Sequence, residues 1–600
     1  MAESHRVRTV KLLLRSIPAI VIVSISLSVS GCQQNFDLKK SKNTRHKVVL
    51  IGIDGASWKV ILPLIWQGKL PHMAKVMREG SWGVLRSEEP MKSPALWTTI
   101  ATGKSRHKHG IVDLAKKEAD NYGYSYYTSQ ERKTKAFWNI LTDYGISSGV
   151  VKWWSTWPAE RINGYMVSDY FQFESPVFGA SGEKGIRDIV YPQSILGTVK
   201  KYDNTYKNMF GNTKIIPDGL FYPKESNMSF EEAVSFAWRA DDNEIQVPEI
   251  RKMILIHKIR NFSKSDARAF LIGIDLLKAF PTDLFTIYFQ GVDSVSHSFW
   301  EFFEPDANCN PAHSAEEMSL FSEVIQKYYE WQDNMIGRLL ENFDKKDTTV
   351  IIVSDHGFER FCEPFPYSAN LNFLFEKMGL LTSKEGRILF ESTVAYQPLA
   401  FKTYYQPACL NLKNRDAEGI VRIEDYETLR VKVRERMSAL ETHSGKKLFD
   451  EIVFAENPHK KNIDFGFRLN SLLSTEDKIT INGSTFSLKK FLIPQPWSGN
   501  HELEGVIIMS GKNIKKGRII KGAGIADITP TILALYGAPV GKDMEGCVLA
   551  DVIEEGYLRE SPVTFVASHD LPSESPKKTV KDQAMDEGLQ EKLKSIGYLQ

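Results

Sequence analysis

The apolar positions of this chain come in short, unbroken runs that stop abruptly at acids. Val48-Val49-Leu50-Ile51-Gly52-Ile53 runs into Asp54-Gly55, and Thr348-Thr349-Val350-Ile351-Ile352-Val353-Ser354 runs into Asp355-His356-Gly357. Runs without polar alternation and rich in β-branched residues predict strands buried on both faces. A third run, residues 284–289, leads into Gly291-Val292-Asp293-Ser294-Val295-Ser296-His297. A helical stretch over 314–343 separates it from the run at 348. That strand–helix–strand order predicts a right-handed crossover in a parallel sheet. Further strands are expected at 83–86, 148–152 and 505–509. Helices are expected at 61–79 (broken by Pro63 and Pro71), 135–144, 230–240, 248–262, 425–440, 526–537 and 584–596. Asn482-Gly483 marks a hairpin over 479–486.

The polar residues that end these runs carry the chemistry. In an open α/β sheet, ligands bind beyond the carboxyl ends of the strands. A carboxylate beside an imidazole is costly to leave unpaired there. Asp293 and His297 are four apart, so a helical turn beginning at Asp293 turns both to one side. Together with Asp54, Asp355, His356 and His501, they give three carboxylates and three imidazoles. Mixed nitrogen and oxygen donors suit zinc, with manganese or iron as rivals. Ser93 opens a helical run, Ser93-Pro94-Ala95-Leu96-Trp97. Its hydroxyl therefore sits where free amide donors favour an anion, a place that equally suits an ordinary N-cap. Two divalent ions beside three carboxylates would leave the site net positive, favouring an anionic substrate and deprotonation of a bound hydroxyl. Trp153, Trp154 and Trp157 form either packing or a substrate wall.

Composition narrows the class. Hydrophobic residues at 42% and charged residues at 25% are globular values, and 600 residues exceed one ordinary domain. A net charge of +2 leaves no basic footprint, so nucleic-acid binding is not expected. Arg6, Arg8, Lys11 and Arg15 precede an apolar run from Ile17 to Val29 that closes on Ser30-Gly31-Cys32. The run is short for a bilayer span and ends in small residues. It reads as a bacterial lipoprotein signal, cleaved before Cys32, which is then lipidated; the alternative is a single transmembrane anchor. Either reading ties the body to a membrane on the extracytoplasmic side of the cell envelope. Gln33, in place of aspartate after the cysteine, favours the outer membrane. Cys309, Cys362, Cys409 and Cys547 form no Cys-x-x-Cys pair, so thiolate metal binding is not expected.

Taken in order, these motifs resemble the alkaline phosphatase superfamily, and within it the type I phosphodiesterase / nucleotide pyrophosphatase family. The resemblance runs from about Val48 to about Leu549. It rests on Ile53-Asp54-Gly55, Ser93 ten residues before Gly103, His109-Gly110-Ile111, and Asp293 with His297. It continues through Ser354-Asp355-His356-Gly357, His501, and the run Asp527-Ile528-Thr529-Pro530-Thr531 leading to Met544-Glu545-Gly546. It implies an α/β, alkaline-phosphatase-like fold: a largely parallel central sheet, helices on both faces, and large inserted cap segments. The implied division is a signal peptide at 1–31, a tether at 32–46, a catalytic core at 47–364 and 497–555, an insertion at 365–496 and a tail at 556–600.

The resemblance also implies two divalent ions, zinc first and manganese second. One would be held by Asp293, His297 and His501, and the other by Asp54, Asp355 and His356, with Ser93 bridging as nucleophile. The implied reaction is hydrolysis of a phosphate ester, a diester above a monoester, through a phosphoseryl intermediate. Transfer of the phosphoryl group to a glycan or lipid hydroxyl is the alternative, and a non-catalytic surface lipoprotein is a third reading. The nucleotide-cleaving members usually carry threonine where Ser93 stands. They also carry a phosphate-contacting asparagine where the run from His109 ends at Leu114. Arg415, in the insertion, is the candidate for the missing positive charge, or else a surface arginine. Ser93-Pro94-Ala95-Leu96-Trp97 lacks the spaced proline and arginine of sulfatases.

Overall fold

A computed structural model describes residues 46–117, 122, 124–173, 188–202, 248–306, 313–361, 367–384, 387–398, 405–454, 463–494 and 498–570. Nine strands form the central sheet: β1 (Lys47–Ile53), β2 (Gly80–Arg86), β3 (Ser148–Val151), β4 (Gly164–Val167), β5 (Val190–Tyr191), β6 (Leu284–Phe289), β7 (Thr348–Val353), β8 (Glu504–Gly511) and β9 (Ile519–Gly524). Their order is β9-β2-β8-β7-β1-β6-β3-β4-β5. Within it, β8 runs against β2 and β7, and β5 runs against β4; the other pairings are parallel. The three strands read from unbroken apolar runs lie side by side at the centre, where both faces are covered. Ile53 of β1 pairs with Phe289 of β6, and Gly52 pairs with Val353 of β7. The residues that follow these strands therefore leave the sheet together, at one edge.

Successive residues of a strand face opposite sides of the sheet. Val48 and Leu50 join Leu284, Ile351 and Met509 in a buried cluster with Trp97, Trp138 and Ile532. Helix α1 (Ser93–Thr102) and the helices Phe137–Asp143 and Ile528–Leu535 cover that face. On the opposite face, Phe285 and Ile287 lie against Gly273 of helix α2 (Pro248–Ala279). Helix α3 (Gly291–Phe303) follows β6 and packs on helix α4 (Val324–Leu340).

Between β7 and β8 the chain builds a second core. Strands Ala395–Tyr396, Gln406–Leu410, Phe465–Leu469 and Phe449–Phe454 pair antiparallel in that order. A separate hydrophobic cluster, from Ala369 to Leu492, fills the space beneath them. The segment begins and ends at one ribbon, Gly357–Arg360 paired with Gly499–Glu502. Beyond the ribbon, Phe361 donates its amide to the Ser498 carbonyl at 2.9 Å.

Several elements differ from the pattern-based expectation. The break in 61–79 falls at 67–70 and not at Pro63, which lies inside the first helix; that helix begins earlier, at Trp58, because Ser57 accepts the Lys59 amide as a cap, and Pro71 opens the second. β2 extends back to Gly80 because it is paired on both sides. The helix expected over 248–262 continues to Ala279, since no proline intervenes before residue 281. The helix expected over 314–343 is two, Ala315–Phe321 and α4. The helices expected at 230–240 and 584–596, and the N-terminal run with Cys32, lie outside the described residues. Among the described residues, no helix is long and apolar enough to cross a membrane.

Gly52 is the tightest point of β1. A Cβ there would lie 2.7 Å from the Trp97 ring and 3.3 Å from that of Trp153. These two indoles meet edge to face, with centroids 5.0 Å apart. Gly52→Ala is expected to cost about 1–3 kcal/mol by overpacking. Denaturant unfolding checks this, and an unchanged midpoint would contradict it.

Candidate active site

Each site residue stands just past the end of a central element. Asp54 follows β1, and Gly55 after it adopts φ +63. A Cβ on Gly55 would come within 3.1 Å of the Asp293 backbone, so turn and close approach both require glycine. The Gly55 amide donates to Asp355 Oδ1 at 3.3 Å, tying the ends of β1 and β7 together. Asp293 and His297 lie on α3, one turn apart, with His297 Nε2 3.3 Å from Asp293 Oδ1. His501 enters on the ribbon that returns from the second core.

The six side chains form two adjoining groups. In the first, Asp293 Oδ1, His297 Nε2 and His501 Nε2 are mutually close: Asp293 to His501 is 3.2 Å and His297 to His501 is 2.8 Å. In the second, His356 Nε2 lies 3.3 Å from Asp54 Oδ1 and 3.5 Å from Asp355 Oδ2. His356 Nε2 and Asp293 Oδ1, 3.9 Å apart, join the two groups. Ser93, the first residue of α1, places its Oγ 3.4 Å from Asp54 Oδ1.

The donor set fits divalent cations. Each imidazole has Nδ1 against a backbone carbonyl: His297 on Gly499 at 2.9 Å, His356 on Gly357 at 2.9 Å, and His501 on Met91 at 3.2 Å. Nδ1–H donates there, so every Nε2 faces inward with a lone pair to give to a cation, which at His356 can be a proton. Two such lone pairs at the His297–His501 separation repel unless positive charge lies between them. Asp293 Oδ1, Asp355 Oδ2 and His356 Nε2 are buried and have no hydrogen-bond partner. Buried polar atoms in that state call for an ion or water.

The electrostatics agree. Burial and the Asp54 charge push Asp355 well above the usual carboxylate range. Burial opposes charge on His356, but Asp355 and Asp54 outweigh it and raise the imidazole to about 10. Burial and the neighbouring His356 push His501 down to about 3. Burial would also raise Asp293, yet His297 and His501 hold it well below its ordinary value. The carboxylates thus create a field that draws positive charge to the point where the Nε2 atoms converge.

The family model for type I phosphodiesterase / nucleotide pyrophosphatase matches residues 48–470, well over half of the chain. The protein belongs to this family. It is accordingly a hydrolase of phosphate esters, and its carboxylate and imidazole groups suit a metal-dependent one. The match stops short of His501, whose place at the site is a finding of the structure. No curated protein matches the sequence. Among solved structures, human ectonucleotide pyrophosphatase / phosphodiesterase 5 is 13% identical, covering 86% of this chain and 99% of that one at a TM-score of 0.41. Phosphonoacetate hydrolase from Sinorhizobium meliloti is 13% identical, covering 81% and 94%, at a TM-score of 0.38.

Two substrate-contact candidates have other partners. Leu114 is buried in the hydrophobic cluster of the core. Arg415 is spent inside the insertion, with its guanidinium on Asp464 at 2.9 Å and Asp416 at 3.1 Å. Trp153 and Trp154 are packing: the Trp153 indole donates to the Trp97 carbonyl and the Trp154 indole to the Tyr288 hydroxyl.

Residues that pattern reading missed lie behind the ligands. Asp266 on α2 accepts the amides of Gln290 and Gly291 at 3.0 and 2.9 Å, fixing the start of α3. Lys152 pairs with Asp266 at 3.0 Å, both fully buried. Lys152 follows β3 and Asp266 lies within α2, 114 residues away, and only the tertiary fold brings them together.

Asp355→Asn removes one of three mutually repelling carboxylates. With chelator present, its thermal midpoint is expected to equal or exceed the wild type's. With zinc added, the wild type should gain more, because the ion stabilises only the state that binds it. A variant that gains as much from zinc as the wild type would exclude Asp355 as a ligand.

Proposed function

We propose that the protein is an extracytoplasmic, lipid-anchored hydrolase of phosphodiesters that works through a phosphoserine formed on Ser93. The observation that carries this reading is the convergence of Asp54, Asp293, His297, Asp355, His356 and His501 beside a buried hydroxyl at a helix start. Asp293, His297 and His501 would hold one ion, and Asp54, Asp355 and His356 the other. The nitrogen and oxygen donors favour zinc, with manganese second. When bound, such ions lower the pKa of a ligated hydroxyl or water and neutralise phosphoryl oxygens.

Ser93 Oγ forms the bond to phosphorus while the leaving alcohol departs on the opposite side. In the first turn of α1 Pro94 has no N–H and the Ala95 and Leu96 amides already donate to the Lys92 carbonyl, so the Ser93 amide is the one that meets the phosphoryl group. Water then displaces Ser93 from phosphorus, releasing the monoester and restoring the hydroxyl. Asp54 Oδ1, beside Ser93 Oγ, orients the nucleophile throughout.

Turnover of bis-p-nitrophenyl phosphate, p-nitrophenyl phosphate and p-nitrophenyl sulfate, with added zinc or manganese, tests the reading. The diester is expected to be cleaved fastest, and Ser93→Ala should lower kcat by at least about 1000-fold while metal stays bound. Near wild-type rates in Ser93→Ala would remove the nucleophile assignment. Release of less p-nitrophenyl phosphate from the diester when an acceptor alcohol is added, at an unchanged rate of p-nitrophenol release, would favour the transferase.

The address has its own test. Cys32→Ala is expected to move the protein out of the detergent-extracted membrane fraction or leave it as an uncleaved precursor. Unchanged fractionation and mobility would argue for a transmembrane anchor.

A further inference from the structure

The two oxygens of Asp54 have different surroundings. Oδ1 faces Ser93 and His356. Oδ2 accepts the Tyr288 hydroxyl at 2.5 Å and the Trp97 indole N–H at 3.0 Å. The Trp154 indole donates to the Tyr288 oxygen at 2.7 Å. All four side chains are buried. An indole can only donate, and a phenol has one hydrogen. Trp154 therefore occupies the phenol as acceptor and leaves its hydrogen for Asp54, so the chain runs from Trp154 through Tyr288 to Asp54.

The backbone is bent to make this arrangement. Lys152 and Ser155, which flank Trp153-Trp154, have φ of 61 and 56, a left-handed conformation disfavoured by a Cβ. The bend sends Trp153 to the Trp97 carbonyl at 3.1 Å and Trp154 to Tyr288. The Lys152 ammonium, held by Asp266, lies 5.6 Å from the centre of the Tyr288 ring. Tyr288 is thus fixed from three sides.

We propose that Tyr288, aligned by Trp154, is a positioning residue for Asp54: with Trp97 it occupies Oδ2, so that Asp54 meets its metal through Oδ1 alone, on the side of Ser93. This rests on the two-metal reading above. Removing the phenolic hydroxyl takes away one of the two donors on Oδ2 and loosens the Asp54–Asp355–His356 site, while the Asp293–His297–His501 site keeps its affinity.

The test is calorimetric titration of zinc into the full chain stripped with chelator. Wild type is expected to bind two ions. Tyr288→Phe should bind one of them about 10- to 100-fold more weakly, the usual effect of losing a hydrogen bond behind a metal ligand, and the other as before. Trp154→Phe, which keeps the phenol but not its alignment, should weaken the same ion less, and it serves if Tyr288→Phe does not fold. The thermal midpoint in chelator should be nearly the same for wild type and both variants. Two undisturbed affinities in Tyr288→Phe would overturn the proposal, as would equal weakening of both ions with a lower midpoint in chelator. A wild type that binds no ion would overturn the two-metal reading itself.

Discussion

Burying several carboxylates within contact distance of one another is the constraint around which this fold is arranged. Asp54, Asp293 and Asp355 are all almost wholly excluded from solvent, and each raises the cost of charge on the others. The parallel sheet makes the gathering unavoidable, because β1, β6 and β7 are in register and release their next residues at one edge. What the sheet concentrates, the surrounding elements must balance. The His356 imidazole, which Asp355 and Asp54 hold well above its ordinary pKa, does part of that, and the site's affinity for cations does the rest.

The layer behind the ligands shows how much structure is committed to holding them still. Asp266 fixes the start of α3 through two amides, and Lys152 neutralises Asp266 away from water. Burial pulls the Lys152 ammonium down, and Asp266 opposes that pull. Such a pair adds little net stability over an apolar substitute, but breaking it leaves a buried charge alone. Its value here is geometric, since α3 carries Asp293 and His297 on consecutive turns. The aromatic donors around Asp54 do the same for β1.

Most of the ligand set could be read from the chain because each acid closes an apolar run, and a run that ends on a charge announces a sheet edge. Asp293 and His297 were legible by helical spacing, and Ser93 by the proline and apolar run behind it. Tyr288 and Trp154 were not. Each reads as an aromatic in or beside a strand, and only the pairing of β3, β6 and β1 turns them towards Asp54. The Trp153 ring likewise read as either packing or a substrate wall until Gly52 showed how closely it and Trp97 fill the space under β1. Arg415 looked available because its carboxylate partner Asp464 is far along the sequence. Segment ends shifted where a cap or a second pairing partner outweighed local preference, as at Ser57 and along β2.

The ribbon that carries His501 also has a topological meaning. Because Phe361 and Ser498 are hydrogen-bonded neighbours, the excursion between them leaves and returns at a single stem, and the backbone on either side would meet even if it were far shorter. Loop-closure entropy depends only weakly on the length enclosed. The stem is therefore a natural splice point. Evolution or an engineer could exchange the whole lobe for another, or for a tight turn, and leave the last imidazole where it stands.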